Sequence, residues 1–129
     1  MKALTLKQPW AAWIARGLKT VETRRWSTSY RGRLLITASK KPRLCVDVDN
    51  RWAPFRTGCA ICLVTLSDCR PMAEADADAA MCRPYEGAVA WILSDVRPIG
   101  PVVCTQDMLS LWTPPAELLK TLEALGYLS

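Results

Sequence analysis

The apolar residues of this chain fall in strand-length runs that turn residues cut short, and this limits the fold more than any other feature of the sequence. Arg33–Ala38 holds Leu34-Leu35-Ile36, Cys59–Leu66 is almost wholly apolar, and Gly87–Leu93 carries Ala88-Val89-Ala90-Trp91-Ile92-Leu93. Short runs of this kind, bounded by Gly and Pro, read as strands buried on both faces. The run from Cys59 is expected to extend toward Arg70. Ala3–Leu6 and Lys19–Trp26 alternate and read as two further strands. Val102-Val103-Cys104, set off by Pro98 and Pro101, reads as a short edge strand. Helical patterns are brief. Pro9 opens Pro9–Arg16, in which Trp10, Trp13 and Ile14 share a face, and Gly17 supplies the left-handed residue that ends it. Met72–Met81 is alanine-rich, with Glu74, Asp76 and Asp78 near its start, and predicts a second helix. A third follows Pro114-Pro115, with Leu118, Leu119, Leu122 and Leu125 as its apolar stripe and Gly126 at its end. Cys45–Phe55 fits either a short helix or an irregular excursion. About five or six strands with small helices between them form neither a regular βαβ alternation nor a sandwich. They predict an α+β fold, a small, mostly antiparallel β-barrel with peripheral short helices, as one domain over residues 1–129.

Charge divides the chain in two. Residues 1–58 hold 13 Lys and Arg against 3 Asp and Glu, a formal +10, and residues 59–129 hold 4 against 9, a formal −5. A polyanion-facing surface built from the first half is one reading, and a solvated basic face is the other. Lys2, Lys7, Arg16 and Lys19 interrupt any export signal in the first thirty residues, and no run approaches the roughly 20 apolar residues of a membrane span. A cytoplasmic chain with reduced thiols is therefore expected. Cys59 and Cys62 form a CxxC, but there is no histidine and no second such pair to complete four ligands. The pair also falls inside a strand, where residues three apart face opposite ways. Core packing is the expectation, with no metal and no cofactor.

Gly17-Leu18-Lys19-Thr20-Val21-Glu22-Thr23-Arg24 contains G-x-K-x-x-E-x-R. Glu22 and Arg24 lie two apart on the strand and so share a face. A carboxylate beside a guanidinium can hold it in one orientation for a phosphate or a base edge. Lys19, at or just before the strand start, can reach the same place. The alternative is a surface ion pair of little energetic consequence.

Leu4-Thr5-Leu6-Lys7-Gln8-Pro9-Trp10-Ala11-Ala12-Trp13-Ile14 precedes this motif. Tyr30-Arg31-Gly32-Arg33-Leu34-Leu35-Ile36, Val64-Thr65-Leu66-Ser67-Asp68-Cys69 and Ala90-Trp91-Ile92-Leu93-Ser94-Asp95-Val96-Arg97-Pro98-Ile99 follow it. The ordered set, from Leu4 to about Trp112, resembles the ASCH family. The resemblance implies a PUA-like β-barrel with a cleft beside the first helix and the motif strand, and RNA or a modified nucleoside as partner. It marks Lys19, Glu22 and Arg24 as cleft residues, with Gln8, Trp10, Trp26 and Lys40 as further candidates for ligand binding. Some ASCH proteins are amidohydrolases that remove acyl groups from N4-acylated cytidines, with a K-x-x-T-x-R signature and a distal glutamate. Here Glu22 stands at the threonine position, and no motif selects between Glu74 and Glu86 for the distal acid. Two principal functions follow from this reading. One is a binding module whose basic cleft takes RNA or a nucleoside, with tryptophans as stacking platforms. The other is an amidohydrolase in which charged Lys19 stabilises an oxyanion while Glu22 activates water. A protein-interaction module is the third.

Overall fold

The computed structural model describes residues 1–104 and 106–128 of the chain. Seven strands and three α-helices follow in the order β1 (Lys2–Leu6), α1 (Trp10–Ala15), β2 (Val21–Arg24), β3 (Gly32–Ala38), β4 (Leu44–Val46), β5 (Trp52–Pro54), β6 (Cys59–Pro71), α2 (Ala77–Ala80), β7 (Val89–Val103) and α3 (Ala116–Ala124). Five strands form one mixed sheet in the order β1-β3-β6-β7-β2. Only the β1–β3 pair is parallel. The sheet curls into a half-barrel, as strong right-handed twist and the register shifts within the β6–β7 ladder require. The expected α+β, mostly antiparallel fold with small peripheral helices is the fold observed.

Period-two burial places a core on each face of the sheet. Leu4, Leu6, Leu34, Ile36, Val64, Leu66 and Trp91 pack on one face beneath Ala11 and Ile14 of α1. Ala3, Leu35, Leu63, Ile99 and Trp112 pack on the other beneath Leu118 and Leu122 of α3. Leu34-Leu35-Ile36 is thus buried on both sides, as its unbroken apolar run predicts. The α3 stripe is narrower than expected, because Leu125 remains exposed. Gly17, at φ +78°, lets the amides of Leu18 and Lys19 turn back to the Trp13 carbonyl and close α1.

Three local expectations change. Cys45–Phe55, read as a helix or an excursion, is mostly a β-hairpin, in which Leu44 pairs with Pro54 and Val46 with Trp52. Met72–Met81 keeps one short helical segment, a 3-10 turn at Glu74–Asp76 running into α2. Asp76 caps the start of this segment: its carboxylate accepts from the Ala73 amide, and it also takes two hydrogen bonds from Arg70, each 2.7 Å. The segments around Val89 and Val102 are one strand, β7, which passes through Pro98 and Pro101. The prolines are tolerated because β2 pairs only with Val89–Ile92, so the later half of β7 has an open edge.

Cys59 and Cys62 are both buried, and burial pushes the Cys62 thiol up to about 12. Among the described residues no helix is long and apolar enough to cross a membrane.

Candidate functional site

β1 and β2 end the strand order at opposite edges of the sheet. The curl brings these edges together without joining them, and Arg24 spans the seam: its Nη2 donates to the Thr5 carbonyl oxygen at 3.0 Å. The same Nη2 lies 3.2 Å from Glu22 Oε2, and Glu22 Oε1 lies 3.6 Å from Lys19 Nζ. One carboxylate therefore sits between two cations, on the face of β2 that the two-residue spacing assigns to Glu22 and Arg24.

Lys19 is 2% exposed. Its ammonium donates to the Ala80 carbonyl at the end of α2, and the neighbouring Thr20 amide donates to the Ala79 carbonyl at 3.0 Å. The last carbonyls of a helix lack partners within the helix, so a buried cation there completes α2. Nζ also stands 5.4 Å from the Trp10 ring centroid. Burial pushes the Lys19 pKa below its ordinary value, outweighing the upward pull of the Glu22 carboxylate. Arg24 Nε is buried with no hydrogen-bond partner among the described residues, a donor unspent on a residue that lines the cleft.

These groups line a cleft of about 400 Å³, within the range of small-molecule sites. Thr5, Leu6, Lys7 and Trp10 form one wall, and Lys19, Glu22, Thr23 and Arg24 form the wall from β2. Cys82 and Tyr85 from the loop after α2, Ser39 after β3, and Asp107, Met108 and Leu109 after β7 complete it. Arg25 stacks over the Tyr85 ring at 5.0 Å, which fixes the ring at the rim. The lining pairs three cations, Lys7, Lys19 and Arg24, with two carboxylates, Glu22 and Asp107. It is less basic than the first half of the sequence suggests, because much of that charge lies on the outer surface.

Of the residues singled out in the sequence, Lys19, Glu22, Arg24 and Trp10 meet in the cleft. Gln8 does not line it. Its amide is buried, donates to the Arg56 carbonyl and accepts from the Ala12 amide, and so ties α1 to the loop before β6. Trp26 packs edge-to-face on Trp91, with centroids 4.8 Å apart, and belongs to the core. Lys40 borders an adjoining groove. Glu74 is exposed and, like Glu86, lies outside the lining. The sequence does not single out Thr5, Ser39, Cys82, Tyr85 or Asp107 as site residues. Each comes from a loop or strand end whose position depends on the curl of the sheet, and no local motif marks it.

Comparison with known proteins agrees with the fold. The crystal structure of ASCH from Zymomonas mobilis superposes with a TM-score of 0.69 at 21% identity, over 96% of this chain and 94% of that one. A point-mutant form of the same protein gives 0.66. Over 80 residues the sequence is 36% identical to activating signal cointegrator 1 of Homo sapiens, and equally to that of Mus musculus. The aligned part is 51% of this chain but only 14% of those relatives. The family model of the ASCH domain matches residues 4–103, which include β2, the end of β1 and the G-x-K-x-x-E-x-R motif. The chain belongs to the ASCH domain family.

Proposed function

We propose that the seam cleft binds a single nucleoside unit, free or within RNA. The observation that carries this reading is the buried Lys19–Glu22–Arg24 cluster on the wall of a nucleoside-sized cleft. A nucleoside offers what such a wall can use: carbonyl oxygens and ring nitrogens for the partly exposed Arg24 side chain and for Lys7, and an aromatic face for Trp10 and Tyr85. The association of ASCH domains with RNA supports the same reading. Equilibrium titration with the four common ribonucleosides, N4-acetylcytidine and a single-stranded RNA tests it. Arg24→Ala is expected to weaken binding by at least tenfold in a folded protein. Unchanged affinity in that variant rules the cleft out.

The buried Lys19–Glu22 pair favours a second reading, amide hydrolysis of an N4-acylated cytidine. Glu22 would take a proton from water as the water oxygen attacks the acyl carbon. The Lys19 ammonium would stabilise the oxyanion. Collapse would break the C–N bond, the proton passing to the departing N4 amine and the acyl group leaving as a carboxylic acid. Ultraviolet-monitored hydrolysis of N4-acetylcytidine decides this. Turnover lost in both Lys19→Ala and Glu22→Gln is required, and no turnover by the folded wild type ends it.

A further inference from the structure

A second depression of about 400 Å³ adjoins the cleft, lined by Lys7, Ser39, Lys40, Lys41, Pro42 and Asp107. Lys7, Ser39 and Asp107 line both, so the two are one continuous channel. Its ends differ in chemistry. The cleft holds the aromatic rings and the Lys19–Glu22–Arg24 cluster. The groove holds Lys40 and Lys41, both exposed, and Lys7 stands at the shared boundary. Among the described residues none of these three lysines pairs with a carboxylate. Asp107 also stands at the boundary, where Ser39 Oγ donates to its Oδ2 at 3.0 Å and leaves its other oxygen available as an acceptor.

The order along the channel is a base-sized cleft, an acceptor, then unpaired cations. A nucleotide within a strand presents base, ribose and phosphate in the same order. We propose that the Lys7–Lys40–Lys41 groove holds the backbone phosphate next to the nucleoside in the cleft, with Asp107 accepting a ribose hydroxyl between them, so that the ligand is an RNA strand rather than a free nucleoside. This rests on the nucleoside reading of the cleft. A carboxylate within a phosphate path is otherwise unfavourable, and a hydroxyl donor explains its place. The lysines act as point charges that position the strand without reading its sequence.

The test is fluorescence anisotropy of a labelled single-stranded RNA decamer and its DNA counterpart at two salt concentrations, with unlabelled ribonucleosides as competitors. Lys40→Ala/Lys41→Ala is expected to weaken RNA binding roughly tenfold and to reduce the slope of log affinity against log salt by about 0.7, the value for one phosphate contact in a single strand. Ribonucleosides should still compete with that variant for the cleft. Asp107→Ala is expected to bring RNA and DNA affinities together. RNA binding with unchanged affinity and slope in the lysine variant overturns the proposal and leaves the nucleoside reading standing. So does tight binding of a ribonucleoside with no gain for the decamer. RNA binding indifferent to Arg24→Ala overturns the nucleoside reading itself, and the proposal with it.

Discussion

The seam wall on β2 and the β4–β5 hairpin contain the same kinds of residue and put them to different use. Each sets a carboxylate among cations and a tryptophan. At the seam, the Glu22, Lys19 and Arg24 side chains are 10%, 3% and 20% exposed, and they hold one another in place. At the hairpin, Asp47 accepts from Arg16 and from the Trp13 indole, yet the Arg16 side chain is 45% exposed and Trp52 is 72% exposed. Burial separates the two regions. In low dielectric a charge cannot lose its partner cheaply, whereas in water it can. A cluster of charges becomes a fixed wall only where the fold withdraws it from solvent.

The strongest break of this comparison is Glu22→Leu, which leaves the buried Lys19 ammonium without its carboxylate. It is expected to cost about 3 kcal/mol in urea denaturation. A loss below about 1 kcal/mol would place the cluster with ordinary surface pairs. Next is pH. The folded-state pKa of Lys19 lies below its ordinary value of 10.5. Between those two values the unfolded chain binds more protons, so stability rises with pH there, by at most about 1.4 kcal/mol per pH unit. The advantage is complete above 10.5 and is lost as pH falls through the folded value. Denaturation of wild type and Lys19→Met across the alkaline range should show the slope in the first and its disappearance in the second.

The hairpin should answer to acid instead. Hydrogen bonds from Arg16 and Trp13 hold Asp47 at about 2, below its ordinary 3.8. Its contribution is present above 3.8 and is lost as pH falls through about 2. Amide-exchange protection in Leu44–Pro54, relative to the intrinsic rate at each pH, should therefore fall in acid, and Asp47→Asn should show the lower protection already at neutral pH. The smallest effect is expected for Trp52→Ala, within about 0.5 kcal/mol of wild type by thermal melting. A larger loss would mean that the hairpin's outer face is packed in solution.

Legibility followed the range of the signal. The runs at Leu34–Ile36 and Cys59–Leu66 and the Gly17 stop after α1 are local, and each is found where the sequence puts it. The Pro98 and Pro101 punctuation misled because a proline that ends a central strand is harmless on an open edge, and which half of β7 is open depends on how far β2 reaches. Met72–Met81 holds a shorter helix than its alanines suggest, because Met72 still bonds to Ala88, the backbone is extended at Ala73, and Met81 turns left-handed. At the cleft, spacing makes the Lys19–Glu22–Arg24 cluster readable, while its place in a cleft comes from the ASCH resemblance. Trp26 and Gln8 have the right residue types, but the side chain of one is taken by Trp91 and that of the other by backbone groups of α1 and the loop before β6.

The sequence by itself determined the strand-rich α+β class, the common face of Glu22 and Arg24 and the ASCH resemblance, because periodicity and short spacings are properties of neighbouring residues. The tertiary structure alone decided that β1 and β2, the two ends of the strand order, close on one another so that Arg24 meets the Thr5 carbonyl. It also decided that Ser39, Tyr85 and Asp107 gather at that seam. The meeting of two sheet edges is set by twist and register accumulated across every strand between them, and no stretch of sequence carries that sum.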